Sequence, residues 1–243
     1  MSQCDTMQYS DDVYCVLQVD DEGGQGASGK RISDISCPLA QNKFSIFYMS
    51  TYQTDFVLIK KRRLLQAIEL LKSLHYEFDS DSLNDHLGDS PPTMAVQLEE
   101  MLRHEDYEKL VLSDELQCIG LNPHLRSDWA MTVLKILSYP ELISSQNRFF
   151  SYTASKQGIS LLANQTLLDQ FGEESIFQEQ DSPRYRVIQV NLAGSNLDGC
   201  GIVWSISHPL TAHMNLLYLS TFNSANVLVS SDDLEKAKEI LYV

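Results

Sequence analysis

The chain has 243 residues, 43% of them apolar, and its 33 acidic against 18 basic side chains leave a formal net charge of −15. That apolar fraction can bury a core in about one to three compact units. The charge argues against nucleic acid or an anionic membrane as partner, because a polyanion is repelled before any specific contact forms. No apolar stretch approaches the ~20 residues that span a bilayer, and residues 1–6 have neither a basic start nor an apolar signal core, so a cytoplasmic protein is expected.

Residues 13–19 form a nearly continuous apolar strand, followed by a glycine-rich acidic loop over residues 20–29 and a helix starting near Lys30. The loop lacks both the Lys-Ser/Thr ending of a P-loop and the final Glu of an EF-hand, and reads as solvated chain. Strands are predicted over 44–49 and 55–60, then a helix whose Leu64, Leu65, Ile68 and Leu71 share a buried face. Between Glu77 and Glu115 twelve acidic residues meet only Arg103 and Lys109, with a short helix over 93–103. This reads as an acidic linker, residues 79–114, and residues 80–112 are expected to be dispensable for folding.

Residues 116–121 read as a strand, and Asn122 and Pro123 supply an N-cap and a first-turn proline for a helix with Leu125, Trp129, Val133 and Leu137 on one face. A strand pair over 148–153 and 158–162 and a short helix over 166–171 follow. The last stretch takes 185–192 as a strand, a helix from about Gly199 to Thr211, a second strand pair, and a final helix with Asp232 and Glu235 in a capping arrangement.

Part of this pattern occurs twice. Residues 45–59 (SIFYMSTYQTDFVLI) return as residues 215–229 (NLLYLSTFNSANVLV), and Leu64, Ala67, Glu69 and Leu71 meet Leu234, Ala237, Glu239 and Leu241 at the same offset of 170. Upstream, residues 35–39 (ISCPL) answer 206–210 (ISHPL) with a one-residue slip. A repeat of this length marks duplicated domains, and Pro38 and Pro209 at equivalent places predict a shared kink or early helix end. The fold class is therefore α+β. About three tandem ferredoxin-like units of the βαββαβ type are expected at residues 11–78, 115–183 and 184–243, the first and last packed side by side. The seam between paired units suits a small amphoteric ligand, since helix N-termini hold a carboxylate and strand-edge carbonyls or acids hold an ammonium or guanidinium.

Residues 50–56 (STYQTDF), 145–149 (SQNRF), 200–203 (CGIV) and 220–223 (STFN) resemble the signature segments of the CASTOR family, ACT-domain proteins that sense cytosolic arginine for the target-of-rapamycin pathway. The family has four ACT units and this chain matches from the second, so the resemblance implies a shorter gene or a fragment. The implied ligand seam joins Ser45 and Ile46 to Asp198, Gly199, Cys200, Gly201, Ile202, Thr221, Phe222 and Asn223. Where the family carries two acids facing the guanidinium, this chain has Gly199 and Ala225, which leaves the ligand as arginine or another amino acid. Tyr52, Gln53 and Asp55 match the segment through which the family restrains the GATOR complex, and a homodimer is left open. Read on the residues alone, Tyr52 and Asp55 shape a turn between two strands.

Catalysis finds no support in the sequence: there is no Gly-x-Ser-x-Gly elbow, no His-Glu-x-x-His, no dinucleotide glycine fingerprint and no paired metal ligands. No cofactor is expected. Cys4, Cys15, Cys37, Cys118 and Cys200 are odd in number and scattered, and read as reduced, buried small hydrophobes. The expectation is a non-enzymatic amino-acid-binding regulator. The rivals are a ligand-free interaction scaffold and an allosteric subunit of an amino-acid-metabolising enzyme.

Overall fold

The computed structural model describes residues 11–20, 28–79, 107–139, 149–178, 182–192 and 199–243. The 93–103 helix, the 20–29 loop beyond Asp20, residues 145–148 and Asp198 lie outside the described residues, apart from the loop's last two positions.

The first repeat is β1 (Tyr14–Val19), α1 (Ser28–Gln41), β2 (Ile46–Ser50), β3 (Asp55–Lys60) and α2 (Leu64–Ser73). The last repeat is β8 (Tyr185–Asn191), α5 (Ile202–Thr211), β9 (Leu216–Ser220), β10 (Ser224–Ser230) and α6 (Leu234–Leu241). Between them lie β4 (Glu108–Leu121), α3 (Arg126–Ser138), β5 (Ser151–Ala154), β6 (Ile159–Asn164), α4 (Gln165–Leu168) and β7 (Ile176–Phe177). The sheet runs β1-β3-β2-β9-β10-β8-β4-β6-β5, with β7 also on β4. Every reported pairing is antiparallel. Each unit thus has the strand order of a split βαβ fold, and the two copies meet edge to edge at β2 and β9.

Strand β4 serves two units. Its first half, Glu108–Val111, pairs with β8 and closes the last repeat; its second half, Leu116–Leu121, pairs with β6 and opens the middle unit. A register shift between Val111 and Glu115 bends the strand there. Residues 108–114 were expected in the linker and are instead strand. Val111 and Leu112, the latter 3% exposed, pack into the interior, so the expectation that residues 80–112 are dispensable fails from 108 onward.

The bend turns the bare face of the middle unit onto the bare face of the last one. Cys118 and Leu162 from the former pack with Val187, Leu217, Leu219 and Leu228 from the latter. On the helical side, one core continues through both repeats: Ile32, Leu39, Ile46 and Tyr48 join Ile206, Leu210, Leu216 and Tyr218. At roughly 1.5–3 kcal/mol per buried apolar side chain, this shared core holds the two repeats together. Pro38 and Pro209 lie within α1 and α5, and both helices end within three residues of them. The face of α3 differs slightly from expectation: Trp129 and Val133 are buried with Ile136, while Leu137 is 56% exposed.

Candidate functional site

The seam has a pseudo-twofold relation centred on the Met49–Leu219 pair. On either side of it the duplicated serines bond reciprocally: the Tyr48 N–H donates to Ser220 Oγ at 3.0 Å and the Tyr218 N–H donates to Ser50 Oγ at 3.1 Å. The Tyr48 and Tyr218 rings meet edge to face with centroids 6.3 Å apart. Extending this register by three residues sets Ile46 opposite Phe222, so the seam has two comparable ends.

At one end the start of β2 meets the last repeat. Cys200 Sγ donates to the Lys43 carbonyl at 3.3 Å. Ser45 and Cys200, far apart in sequence, line one cleft of about 130 Å³ that opens to solvent. Lys43, Phe44 and Ile59 also line it, and Lys60, the last residue of β3, with Arg62 and Arg63 just after it, supplies its cationic wall. The Arg63 guanidinium is held in place. It donates to Gln66 Oε1 at 3.1 Å and to the carbonyls of Lys43 and Asn42, and lies 3.8 Å over the Phe44 ring. Burial, the largest influence on it, pulls its pKa down from the usual value. Lys60 Nζ pairs with Asp12 at 2.7 Å, and Arg62 approaches the same carboxylate at 3.6 Å. Lys60 is the largest influence holding the Asp12 carboxyl below its usual range.

The expected ligand residues divide. Gly201 precedes α5 with φ at +78°, a conformation that favours glycine, and the carbonyl of Gly201 accepts from the Ser205 N–H. Ile46 and Ile202 are buried in the shared core at 6% and 3% exposure, so their side chains cannot reach a ligand in the cleft. Thr221, Phe222 and Asn223 form the β9–β10 turn, where Thr221 bonds to Ser224 and the Asn223 carbonyl accepts from Leu192. Gly199 is half-buried beside Cys200. Of the described cysteines only Cys118 is buried; Cys15, Cys37 and Cys200 are half-exposed, against the expectation of core positions.

At the other end the first repeat satisfies itself. Arg31, in the first turn of α1, donates through Nε to Asp55 Oδ2 at 2.9 Å, and the Asp55 side chain is 1% exposed. Burial pushes the Asp55 carboxyl up, and the Arg31 charge and Ser50 hydroxyl pull the other way. By the repeat offsets, Arg31 and Asp55 correspond to Ile202 and Ala225, both in the apolar core. Asp55 was read as partner-facing and is instead interior. Tyr52 and Gln53 do reach another unit of the same chain: the Tyr52 N–H donates to Ser160 Oγ at 2.9 Å, and the Gln53 amide packs so close to Gly158 that a Cβ there would lie 2.9 Å from it.

A model of the ACT domain matches residues 9–73 and again residues 182–242. The chain belongs to the ACT-domain family. It is 24% identical to the human cytosolic arginine sensor for mTORC1 subunit 1 over 97% of its own length and 77% of that protein. The Mus musculus protein of the same name is 23% identical, over 97% and 76%. Among solved structures, an aspartate kinase from Synechocystis is similar over 86% of this chain and 36% of the kinase, at 15% identity and a TM-score of 0.38. The two ACT matches are the two repeats that form the seam. The middle unit, with the same strand and helix order, lies between those two matched regions. Lys43, Lys60, Arg62 and Arg63 escaped the sequence reading, although residues 60–63 (KKRR) form a basic run in a strongly acidic chain.

Proposed function

We infer that this ACT protein is a non-enzymatic regulator that binds a free amino acid in the cleft between its first and last repeats and signals occupancy to a protein partner. The observation that carries this reading is the convergence of Ser45 and Cys200 on one open cleft at the seam end, beside Gly201 with its left-handed backbone. Gly lets a ligand approach the backbone closely. The similarity to cytosolic arginine sensors supports the sensor class. The partner surface is the turn carrying Tyr52 and Gln53, at the opposite end of the seam, with a GATOR-type complex as the partner implied by the resemblance. Asp55 contributes there by holding the turn through Arg31 and not by direct contact.

The test is a thermal-shift screen of the full chain against the proteinogenic amino acids at millimolar concentration, repeated with Ser45→Leu. A rise in Tm with a restricted set of amino acids, abolished by Ser45→Leu, is expected. No shift with any amino acid would leave the interaction scaffold as the reading.

A further inference from the structure

Helix α3 covers one face of the middle unit's sheet, where its Trp129, Val133 and Ile136 pack with Ile119, Leu121, Leu161 and Ala163. The opposite face of that sheet, through Cys118 and Leu162, lies against the last repeat. The outer side of α3 is therefore turned away from the last repeat, and it is apolar: Met131 is 65% exposed, Leu134 54% and Leu137 56%. Single exposed apolar side chains are ordinary, but three at a spacing of three along one helix form a stripe.

The two repeats show what this element does when it has a neighbour. Helices α1 and α5, each the first helix of its βαββαβ unit as α3 is of the middle one, lie against each other across the seam. Ile32, Ile35 and Leu39 share one core there with Ile206 and Leu210. In this fold the first helix of a unit packs on its own equivalent.

Charge points to the occupant. A chain of net charge −15 repels a second copy over most of its surface, but the exposed charged residues of α3 are two bases, Arg126 and Lys135, and one acid, Asp128. Asp128, which accepts from Ser127 Oγ at 3.0 Å, and Lys135 are two helical turns apart and project to the same side of the helix. Their midpoint falls beside Met131. Two antiparallel copies of α3 related by a twofold at that point set each Asp128 against the partner's Lys135, so one isologous contact makes both pairs.

We propose that α3 is a homodimer interface: the Met131, Leu134 and Leu137 stripes of two copies pack antiparallel, and Asp128 of each copy faces the partner's Lys135. A single helix pair lies at the low end of interface sizes, below about 1,200 Å², so the dimer forms and dissociates with concentration. The cleft at the seam is lined by no residue of α3, and the proposal is independent of the amino-acid reading.

Sedimentation equilibrium of the full chain from micromolar to submillimolar concentration is the test. A monomer–dimer equilibrium is expected, and Leu134→Glu should raise its dissociation constant at least about ten-fold, since it sets a charge against an apolar stripe. Leu134 is exposed, so the melting temperature should hold; Met131→Glu repeats the test at a second exposed position. Asp128→Lys and Lys135→Asp should each weaken the dimer by bringing like charges together, and the two combined should recover most of the parent affinity. A parent chain that stays monomeric throughout overturns the proposal and leaves the stripe to a different partner. A dimer that both glutamate variants leave intact forms elsewhere on the surface and overturns it as well. If the combined exchange associates no better than the single ones, the antiparallel register is refuted.

Discussion

Ala225→Asp tests whether the two ends of the seam are equivalent. Ala225 is fully buried in the shared core, at the position that Asp55 holds in the other repeat, and the residue facing it by the same relation is Ile202 where the first repeat has Arg31. A carboxylate introduced there has no cation to meet. Leaving a buried charge uncompensated costs about 3–5 kcal/mol, and neutralising it by protonation costs a similar amount as its pKa is driven up. Ile202→Arg alone should also destabilise, because it replaces a side chain 3% exposed. The double variant rebuilds the pair seen between Arg31 and Asp55, whose Arg member keeps 16% exposure. Its unfolding free energy should exceed the additive expectation by about 1–3 kcal/mol, the usual coupling of residues in direct contact. Urea denaturation of the parent, both single variants and the double variant gives the coupling. Strict additivity would refute the equivalence. So would a single Ala225→Asp variant that is as stable as the parent and stabilised by free L-arginine, since Ala225 would then face the ligand and not the core.

Leu112→Ala should cost about 2–4 kcal/mol, the usual loss for a buried leucine, because Leu112 is 3% exposed beneath β4; a change near zero in urea melts would return residues 108–114 to the linker. Gly201→Val should destabilise by about 1–2 kcal/mol even without ligand, since φ is +78° there, and a melting temperature equal to the parent's would contradict that backbone. Asp55→Asn tests the sign of a titration. Burial raises the Asp55 carboxyl above the ordinary carboxylate range, so its stabilising contribution is full below the unfolded pKa and is lost as pH rises through the folded one. The stability of the parent relative to Asp55→Asn should therefore fall as pH is raised above about 4, the unfolded carboxylate value, and a difference that grows with pH would reverse the assignment.

The duplicated seam was legible because both signals behind it are local. Alternating apolar residues mark each strand, and a constant offset of 170 marks the copy, so residues 45–59 and 215–229 declare the pairing of β2 and β9 before any contact is known. Strand β4 was half legible for the opposite reason. Residues 108–114 carry Glu108, Lys109, Ser113 and Asp114 among Leu110, Val111 and Leu112, a pattern that resembles connector until β8 supplies the ladder. Asp55 was read as a contact for a partner because the sequence cannot reveal that Arg31, 24 positions earlier, folds back onto it. The cationic wall was missed because it is assembled from two places, the turn after α1 and the end of β3 with the residues that follow it. Arg63 reaches the Lys43 and Asn42 carbonyls across some twenty positions.

Duplication gives a seam two chemically identical ends at the outset, and the present pair are opposite in character. One end is occupied from within: the Arg31 side chain already meets the Asp55 carboxylate, and the turn beside it is tied to the middle unit through Tyr52 and Ser160. The other has Ile202 and Ala225 at the two positions of that ion pair, both in the apolar core, and Lys60, Arg62 and Arg63 line the nearby opening. Both ends share one strand pairing and one continuous core, and β2, which begins just after Lys43–Ser45 beside Cys200, leads at its far end into the Tyr52–Gln53 turn. The short β2, five residues from Ile46 to Ser50, is the physical connection between cleft and turn. The reciprocal serine bonds at its middle keep it from sliding against β9 without cost to both buried N–H groups.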